Sequence, residues 1–367
     1  MSILSRLVPA PLVMDIRSGA LHDLPATLSD GRISVSGRLL VVCSSGTGAE
    51  IARPLRKALP AADFLENCPT TFDAMTGFIE QVRSRSYEAV VGLGGGRVLD
   101  AAKYIATRLG VPIVVVPTTL AHDGIASPVS ILANESGRGS YGVAAPLGVI
   151  VDLDVVAGAP RRYLLSGVGD VLSNLCAVAD WEMSHDKLGE QVDGLSVAMA
   201  RSAATAIQFF PGDTGSIEFV RVLAESLILS GLAMSIAGSS RPCSGACHEI
   251  SHAIDLLCPD RMHLHGEQVS VGACFGTMLR GNDADFYSML AAHRRFGIGV
   301  LPSDIGLSED DFCRVVEFAP QTRPGRHTIL EERNLSAADI RTQVQRYIRE
   351  VRDFGAGSLL SAAAIGE

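Results

Sequence analysis

The stretch Glu88–Thr119, EAVVGLGGGRVLDAAKYIATRLGVPIVVVPTT, decides the architecture. An apolar run, a glycine turn, a helix-spaced segment and a second apolar run succeed one another within it. Runs apolar at every position mark strands buried on both faces, and joining two of them through a helix gives a parallel βαβ unit. Working outward, RLLVVCS (Arg38–Ser44) is another continuous apolar run, followed by the amphipathic pattern GTGAEIARPLRKAL. ADFLEN (Ala62–Asn67) is a weaker strand, and FDAMTGFIEQVRSR (Phe72–Arg85) has helical spacing. The rhythm predicts an α/β N-terminal domain, a Rossmann-like parallel sheet covered by helices on both faces. Right-handed crossovers then put the glycine turn at the carboxyl edge of the sheet, where such folds bind ligands.

Beyond Pro160 the patterns become long and helical: YLLSGVGDVLSNLCAVADWEMS (Tyr163–Ser184), LSVAMARSAATAIQFF (Leu195–Phe210) and SIEFVRVLAESLILSGLAMSIAG (Ser216–Gly238). An all-α C-terminal domain is expected. Gly158 and Pro160 punctuate the change, so the division expected is residues 1–159 for nucleotide binding and 160–367 for metal and substrate. A chain of 367 residues is long for one core, which fits two domains.

Composition narrows the function. A net charge of −9 and no basic cluster argue against a nucleic-acid surface. Arg6, two prolines and Asp15 break the mildly apolar start, which does not read as a signal peptide. No uninterrupted apolar run reaches about 18 residues, so no membrane span is expected. Eight cysteines without a Cys-x-x-Cys read as reduced thiols and a cytoplasmic location.

Four of the nine histidines fall within Cys243–Met278, CSGACHEISHAIDLLCPDRMHLHGEQVSVGACFGTM: His248, His252, His263 and His265. Neutral imidazole is the commonest protein ligand for a catalytic metal, so the cluster points to a metal site. HEISH also matches the His-Glu-x-x-His pattern of zinc proteases, whose histidines share a helix face. No third histidine follows at the metzincin spacing, and a protease has no use for the glycine turn. Cys243 and Cys247 adjoin His248, but no second cysteine pair completes a tetrahedral set.

The glycine turn GLGGGRVLD suits phosphate binding at a helix start, and equally a close approach of helix to strand. Asp100 and Lys103, one turn apart behind it, form a surface pair or let Lys103 reach toward the nucleotide. Asp170, in SGVGDVLSN, opens an apolar helix on this reading, and a carboxylate there is explained by the helix dipole alone. Asp123, in PTTLAHDGIASP, is a polar group at the sheet edge or a turn-forming Asp-Gly; the residues leave both open.

GLGGGRVLDAAKYIA, VPTTLAHDGIASP, GVGDVLSN, HEISHAI and LHGEQVSVG, in this order, resemble the superfamily of glycerol dehydrogenases, iron-dependent alcohol dehydrogenases and dehydroquinate synthases. The fold implied is dehydroquinate synthase-like. AHDGIASP, the Ser-His of HEISH and TRPGRHTILEE (Thr322–Glu332) most resemble the sn-glycerol-1-phosphate dehydrogenases among them. The resemblance covers about Pro9 to Leu330. It implies a metal-dependent NAD(P)H oxidoreductase that reduces a small phosphorylated ketone, dihydroxyacetone phosphate, to sn-glycerol 1-phosphate. Asp170, His248 and His265 would hold one divalent metal, zinc first, with nickel and iron also suited to the set. His252 would face the substrate as a positioning or proton-relay group, and Asp123 would bond a substrate hydroxyl. Gly94, Gly95 and Gly96, followed by Arg97 and Val98, would cradle the NAD or NADP pyrophosphate, with Thr118, Thr119 and Ser127 nearer the nicotinamide.

Arg97 and Ala121 depart from the residues common in relatives, Ser or Lys at the first and Ser at the second. Glu66 is the acidic residue placed to read a ribose, which leaves NAD against NADP open. Arg323–His327 offers positive charge for a substrate phosphate or forms a solvated turn. His263 is expected at the surface or behind the ligands. A homodimer or higher homo-oligomer is also implied. The rivals are a dehydroquinate synthase-type sugar-phosphate cyclase, which tends to carry Glu at the Asp170 position, a reductase of another small aldehyde, ketone or phosphonate, and a non-catalytic binding protein.

Overall fold

Six parallel strands build the sheet that the βαβ rhythm implies, in the order β1-β8-β5-β4-β2-β3. The structure, a computed structural model, describes residues 11–69, 71–134, 137–261 and 263–363; the outer ends of both expected domains lie outside these. The first part of the chain runs β1 (Val13–Arg17), α1 (Leu24–Leu28), β2 (Leu39–Cys43), α2 (Thr47–Ala58), β3 (Asp63–Glu66), α3 (Phe72–Val82), β4 (Ala89–Gly94), α4 (Gly96–Leu109) and β5 (Ile113–Pro117). An antiparallel hairpin, β6 (Val129–Asn134) and β7 (Gly137–Gly142), precedes β8 (Gly148–Asp152) and α5 (Leu153–Ala157). From there the described chain is helical: α6 (Arg161–Leu188), α7 (Gly194–Gln208), α8 (Ile217–Ala237), α9 (Ala246–Leu257), α10 (His265–Arg280), α11 (Asp283–Phe296), α12 (Glu309–Phe318), α13 (Ile329–Arg333) and α14 (Ala337–Ala363).

β2, β4 and β5 are the apolar runs read from sequence, and every residue of β2 and β4 is buried. Two strands of the six-stranded sheet escape that reading, as does the β6–β7 hairpin. β1 is an edge strand, VMDIR, whose Asp15 and Arg17 break the apolar run. β8, GVIVD, is fully buried, but it lies close to the Gly158–Pro160 punctuation and reads as part of the boundary. The sheet order places a topological switch between β2 and β4: the chain leaves β2 toward β3 on one side and β4 toward β5 on the other. Loops diverge at such a point and open a crevice at the carboxyl ends of the strands.

By contacts the chain divides into Met1–Gly167 with Phe210–Ser239, and Val168–Phe209 with Ser240–Glu367. The first unit thus includes α8. By length and composition α8 is apolar enough to cross a membrane, yet 61% of its most apolar window is buried. A Cβ on its Gly231 would stand 2.5 Å from the Ala126 carbonyl carbon, so this helix packs directly on backbone. The second unit is built on a core of α9, α10, α11, α12 and α14 side chains, with Phe275, Phe312 and Tyr347 fully buried within it.

Candidate metal centre and nucleotide turn

The metal set is assembled by close helix crossings in the second unit. Gly169 precedes Asp170 on α6, and a Cβ there would lie 2.4 Å from the Gly266 carbonyl oxygen on α10. Gly272 of α10 meets α9 in the same way, its Cβ position being 2.8 Å from the Cys247 carbonyl oxygen. With no side chains in between, Asp170, His248 and His265 converge, their ligand atoms all within 4.8 Å of one another. Asp170 lies more than two turns inside α6, which begins at Arg161, so the helix-start explanation does not apply. His265 is the first residue of α10, whose start is fixed by the Glu267 carboxylate accepting the Leu264 N–H.

The hydrogen bonds behind the histidines set their tautomers. Ser251 donates its hydroxyl to Gln268 Oε1 at 2.7 Å, so its oxygen accepts the Nδ1–H of His265 at 3.2 Å. The Gln268 amide is held by donating its Nε2 hydrogen to Asp255. His248 Nδ1 faces Cys247 Sγ at 3.3 Å, and that thiol itself donates to the Ser173 carbonyl. Both Nε2 atoms are thereby left as acceptors, 3.2 Å apart. Asp170 Oδ1 lies 3.6 Å from one and 3.9 Å from the other. Tetrahedral bonds to zinc of about 2.0–2.1 Å separate ligand atoms by about 3.3 Å. Three converging acceptors at that spacing fit a divalent cation. Burial, then the neighbouring His265 and His252, push the His248 pKa well below its usual range, keeping the imidazole neutral as a ligand must be.

The other sequence candidates sort themselves around this set. His252 accepts from Arg323 Nη2 at 2.9 Å through its Nε2, and burial holds its pKa down to about 3. Glu249, the base that the protease pattern would need, is fully buried and accepts from Thr328. The protease geometry is therefore absent. Cys243 and Cys247 stand outside the ligand set, and His263 faces Glu267 at 3.2 Å. Arg323–His327 is a turn whose tip, Pro324 and Gly325, is exposed while Arg323, Arg326 and His327 are half-buried.

In the first unit the glycine turn stands at the β4 side of the switch point. Part of its glycine content serves packing: a Cβ on Gly92 would lie 2.8 Å from that of Ala102, and one on Gly94 3.0 Å from that of Val98. Gly95 caps α4, and among the described residues a Cβ built on it would meet only Thr119 Oγ1, at 3.6 Å. Thr118 N–H donates to the Gly94 carbonyl, tying the ends of β4 and β5 together. Arg97 and Val98 occupy the first turn of α4; the Val98 N–H donates to the Gly95 carbonyl at 2.9 Å, so the start of the helix is tied back to the turn.

His122 was missed by sequence reasoning. Its Nδ1 accepts the Gly124 N–H, and its ring fills the space beside Gly96. The signal was present in AHDG, a histidine next to an Asp-Gly turn directly after a buried strand. Asp123 opens a short turn, Asp123–Ile125, and its carbonyl accepts the Ala126 and Ser127 amides. Ser127 is buried and its hydroxyl turns to the Val129 carbonyl. Lys103 neither lies at the surface nor reaches the turn: fully buried, it pairs with Asp100 at 3.1 Å and donates to the Ser127 and Val129 carbonyls. Glu66 ends β3 and is ion-paired to Arg56 at 2.7 Å.

Residues 15–160 match the family described as iron-containing alcohol dehydrogenase. Crystal structures share the fold: a probable glycerol dehydrogenase from Sinorhizobium meliloti aligns over 95% of this chain and 99% of its own, with TM-score 0.75 and 22% identity. Among sequence relatives, the glycerol-1-phosphate dehydrogenase [NAD(P)+] of Hyperthermus butylicus is 39% identical over 70% of this chain and 74% of its own. That of Methanothermobacter thermautotrophicus is 34% identical over 90% of this chain and 95% of its own. The chain belongs to the glycerol-1-phosphate dehydrogenase family.

Proposed function

We propose that this chain reduces dihydroxyacetone phosphate to sn-glycerol 1-phosphate with NADH or NADPH and one divalent metal, zinc. The observation that carries the reading is the convergence of Asp170, His248 and His265 in a chain 34% identical to a glycerol-1-phosphate dehydrogenase over 90% of its length. When bound, the metal supplies Lewis acidity toward a carbonyl oxygen, and the nicotinamide supplies hydride.

The chain's own residues do the rest. Asp170, His248 and His265 are the proposed ligands, with Ser251 and Cys247 fixing the two imidazoles. His252, neutral and bonded to Arg323, positions that guanidinium, and a proton for the product oxygen comes through His252 or water. Asp123 is proposed to bond a substrate hydroxyl. The cofactor is assigned to Gly94, Gly95, Gly96, Arg97, Val98, Thr118, Thr119 and Ser127, supported by the switch-point position of the turn and its place at the start of α4.

A cytoplasmic homo-oligomer completes the proposal. Eight free cysteines support the location, and light scattering on purified protein checks the assembly. The test of the reaction is product analysis with dihydroxyacetone phosphate and either nicotinamide. One reduced cofactor consumed per sn-glycerol 1-phosphate formed is the expected result. No cofactor consumption with this substrate, together with phosphate release and no net cofactor use from a longer sugar phosphate, would mean a cyclase instead.

A further inference from the structure

Three helices of the second unit carry the candidate ligands: α6 brings Asp170, α9 His248 and α10 His265. A second carboxylate on α6, Asp180, joins the same three helices away from that set. It lies about 15 Å along α6 from Asp170, at about 1.5 Å per residue. It is fully buried, and both of its oxygens are used. Oδ2 accepts the Ala246 N–H at 2.8 Å, the first amide of α9, just ahead of His248. Oδ1 accepts from Arg280 Nη2, at the end of α10, and from the Ile329 N–H at 2.8 Å, where α13 begins. Arg280 takes a second hold on α6 by donating to the Cys176 carbonyl at 3.0 Å.

The sequence makes room for this carboxylate. α9 has no side-chain cap of its own: its N-cap is Gly245, and a Cβ there would stand 2.3 Å from Asp180 Oδ2. Asp180 thus serves α9 from a neighbouring helix as a capping Asp would locally. The seam around it is made of small residues, Gly169 and Gly272 against backbone and Gly276 against Cys176 Sγ, 3.2 Å from its Cβ position. Such a seam brings helices close but offers few interlocking side chains to set how far one lies along another. Register decides the site. A slip of one residue moves a helix by about 1.5 Å, whereas metal–ligand distances tolerate only about 0.2 Å. A buried ion pair contributes little net stability once desolvation is counted, and its best attested use is to fix register.

We infer that Asp180 is a positioning residue for the metal set. Through Ala246, Arg280 and Ile329 it fixes α9, α10 and α13 against α6, so that Asp170, His248 and His265 meet. Docking α13 extends the hold to the segment carrying Arg323, which bonds His252. The inference rests on the reading of Asp170, His248 and His265 as metal ligands, and not on the identity of the substrate.

The test compares wild type, Asp180→Asn and Tyr347→Phe. Zinc affinity is measured by chelator competition, ligand geometry by the visible spectrum of cobalt-loaded protein, and stability by denaturant titration. Asp180→Asn removes the charge that holds Arg280 and turns an amide group toward a backbone donor. It is expected to weaken zinc binding by about 10-fold or more and to shift the cobalt bands. Tyr347→Phe removes a buried hydrogen bond to the Val300 carbonyl in the same core. It is expected to lower stability while zinc affinity and cobalt bands stay as in wild type. Wild-type affinity and spectrum in Asp180→Asn would overturn the inference. So would an equal loss in Tyr347→Phe, since any core defect would then loosen the site. Should Asp180→Asn not fold, Arg280→Lys replaces it, keeping the charge but not the fork that spans Asp180 and Cys176; unchanged zinc affinity there would overturn the inference equally. Wild type that binds no zinc would reject the metal reading and the inference with it. Zinc binding that depends on Asp180 in a protein unable to reduce dihydroxyacetone phosphate would reject the reaction and support the inference.

Discussion

Ser251 shows how much of the metal set depends on a single hydroxyl. It has one proton, taken by Gln268, so its oxygen serves the His265 Nδ1–H and puts the imidazole lone pair on Nε2, the proposed ligand atom. Groups behind metal ligands commonly contribute 10- to 100-fold in affinity. Ser251→Ala is accordingly expected to weaken zinc binding by about that factor, measured by chelator competition; unchanged affinity would refute the tautomer argument. Asp170→Asn and His265→Ala are expected to lose metal and turnover together, and an active metal-free variant would dismiss the ligand assignment. At this scale the sequence was informative about which residues carry chemistry and weak about their partners. The histidines announced themselves by type and density. Asp170 looked like a helix cap because nothing in YLLSGVGDVLSN shows where the helix begins. The fixing of His265 by Ser251 is invisible until α9 and α10 lie side by side.

The helices meet through glycines, and that is where the second unit is least tolerant. Gly272→Ala would drive a methyl group toward the Cys247 carbonyl on α9, separating His248 from His265. We expect a loss of about 1–3 kcal/mol in stability together with weaker metal binding; denaturant titration and chelator competition read the two, and a neutral substitution would contradict the close-packing account.

α11 carries a separate liability. His293 is fully buried, donates Nδ1–H to the Met289 carbonyl, and burial lowers its pKa to about 4 from 6.5. The unfolded chain therefore binds more protons between these values. The contribution is complete above pH 6.5 and is lost as pH falls through 4, by up to about 3 kcal/mol. Over that range His293→Leu is expected to show a shallower decline in stability than wild type, and parallel curves would exclude His293 as the source. Elements were legible from sequence where one physical signal dominated, as in the all-apolar β2, β4 and β5. β1 has an edge strand's mixed composition, and the β6–β7 hairpin follows a polar loop, so neither shows the continuous run of a buried strand.

At the scale of the whole molecule, the glycine turn stands at the switch point of the parallel sheet in the first unit, and the candidate metal set on helices of the second. α8 follows α7 in sequence but belongs by contacts with the sheet, an arrangement that a linear change of pattern near Pro160 does not reveal. Charge tells a similar story. The chain carries −9 overall, yet Arg323 sits against His252, one turn along α9 from His248, a local feature that net composition hides.

The central claim is that one metal at Asp170, His248 and His265 carries the reduction of dihydroxyacetone phosphate. Its most direct test is to titrate zinc into chelated protein while following NADH or NADPH oxidation with that substrate. Turnover that rises with zinc and saturates at one ion per chain, and stays absent in Asp170→Asn, is the expected result. Full turnover in chelated protein, or none in protein that holds one zinc and binds the nucleotide, would contradict the account.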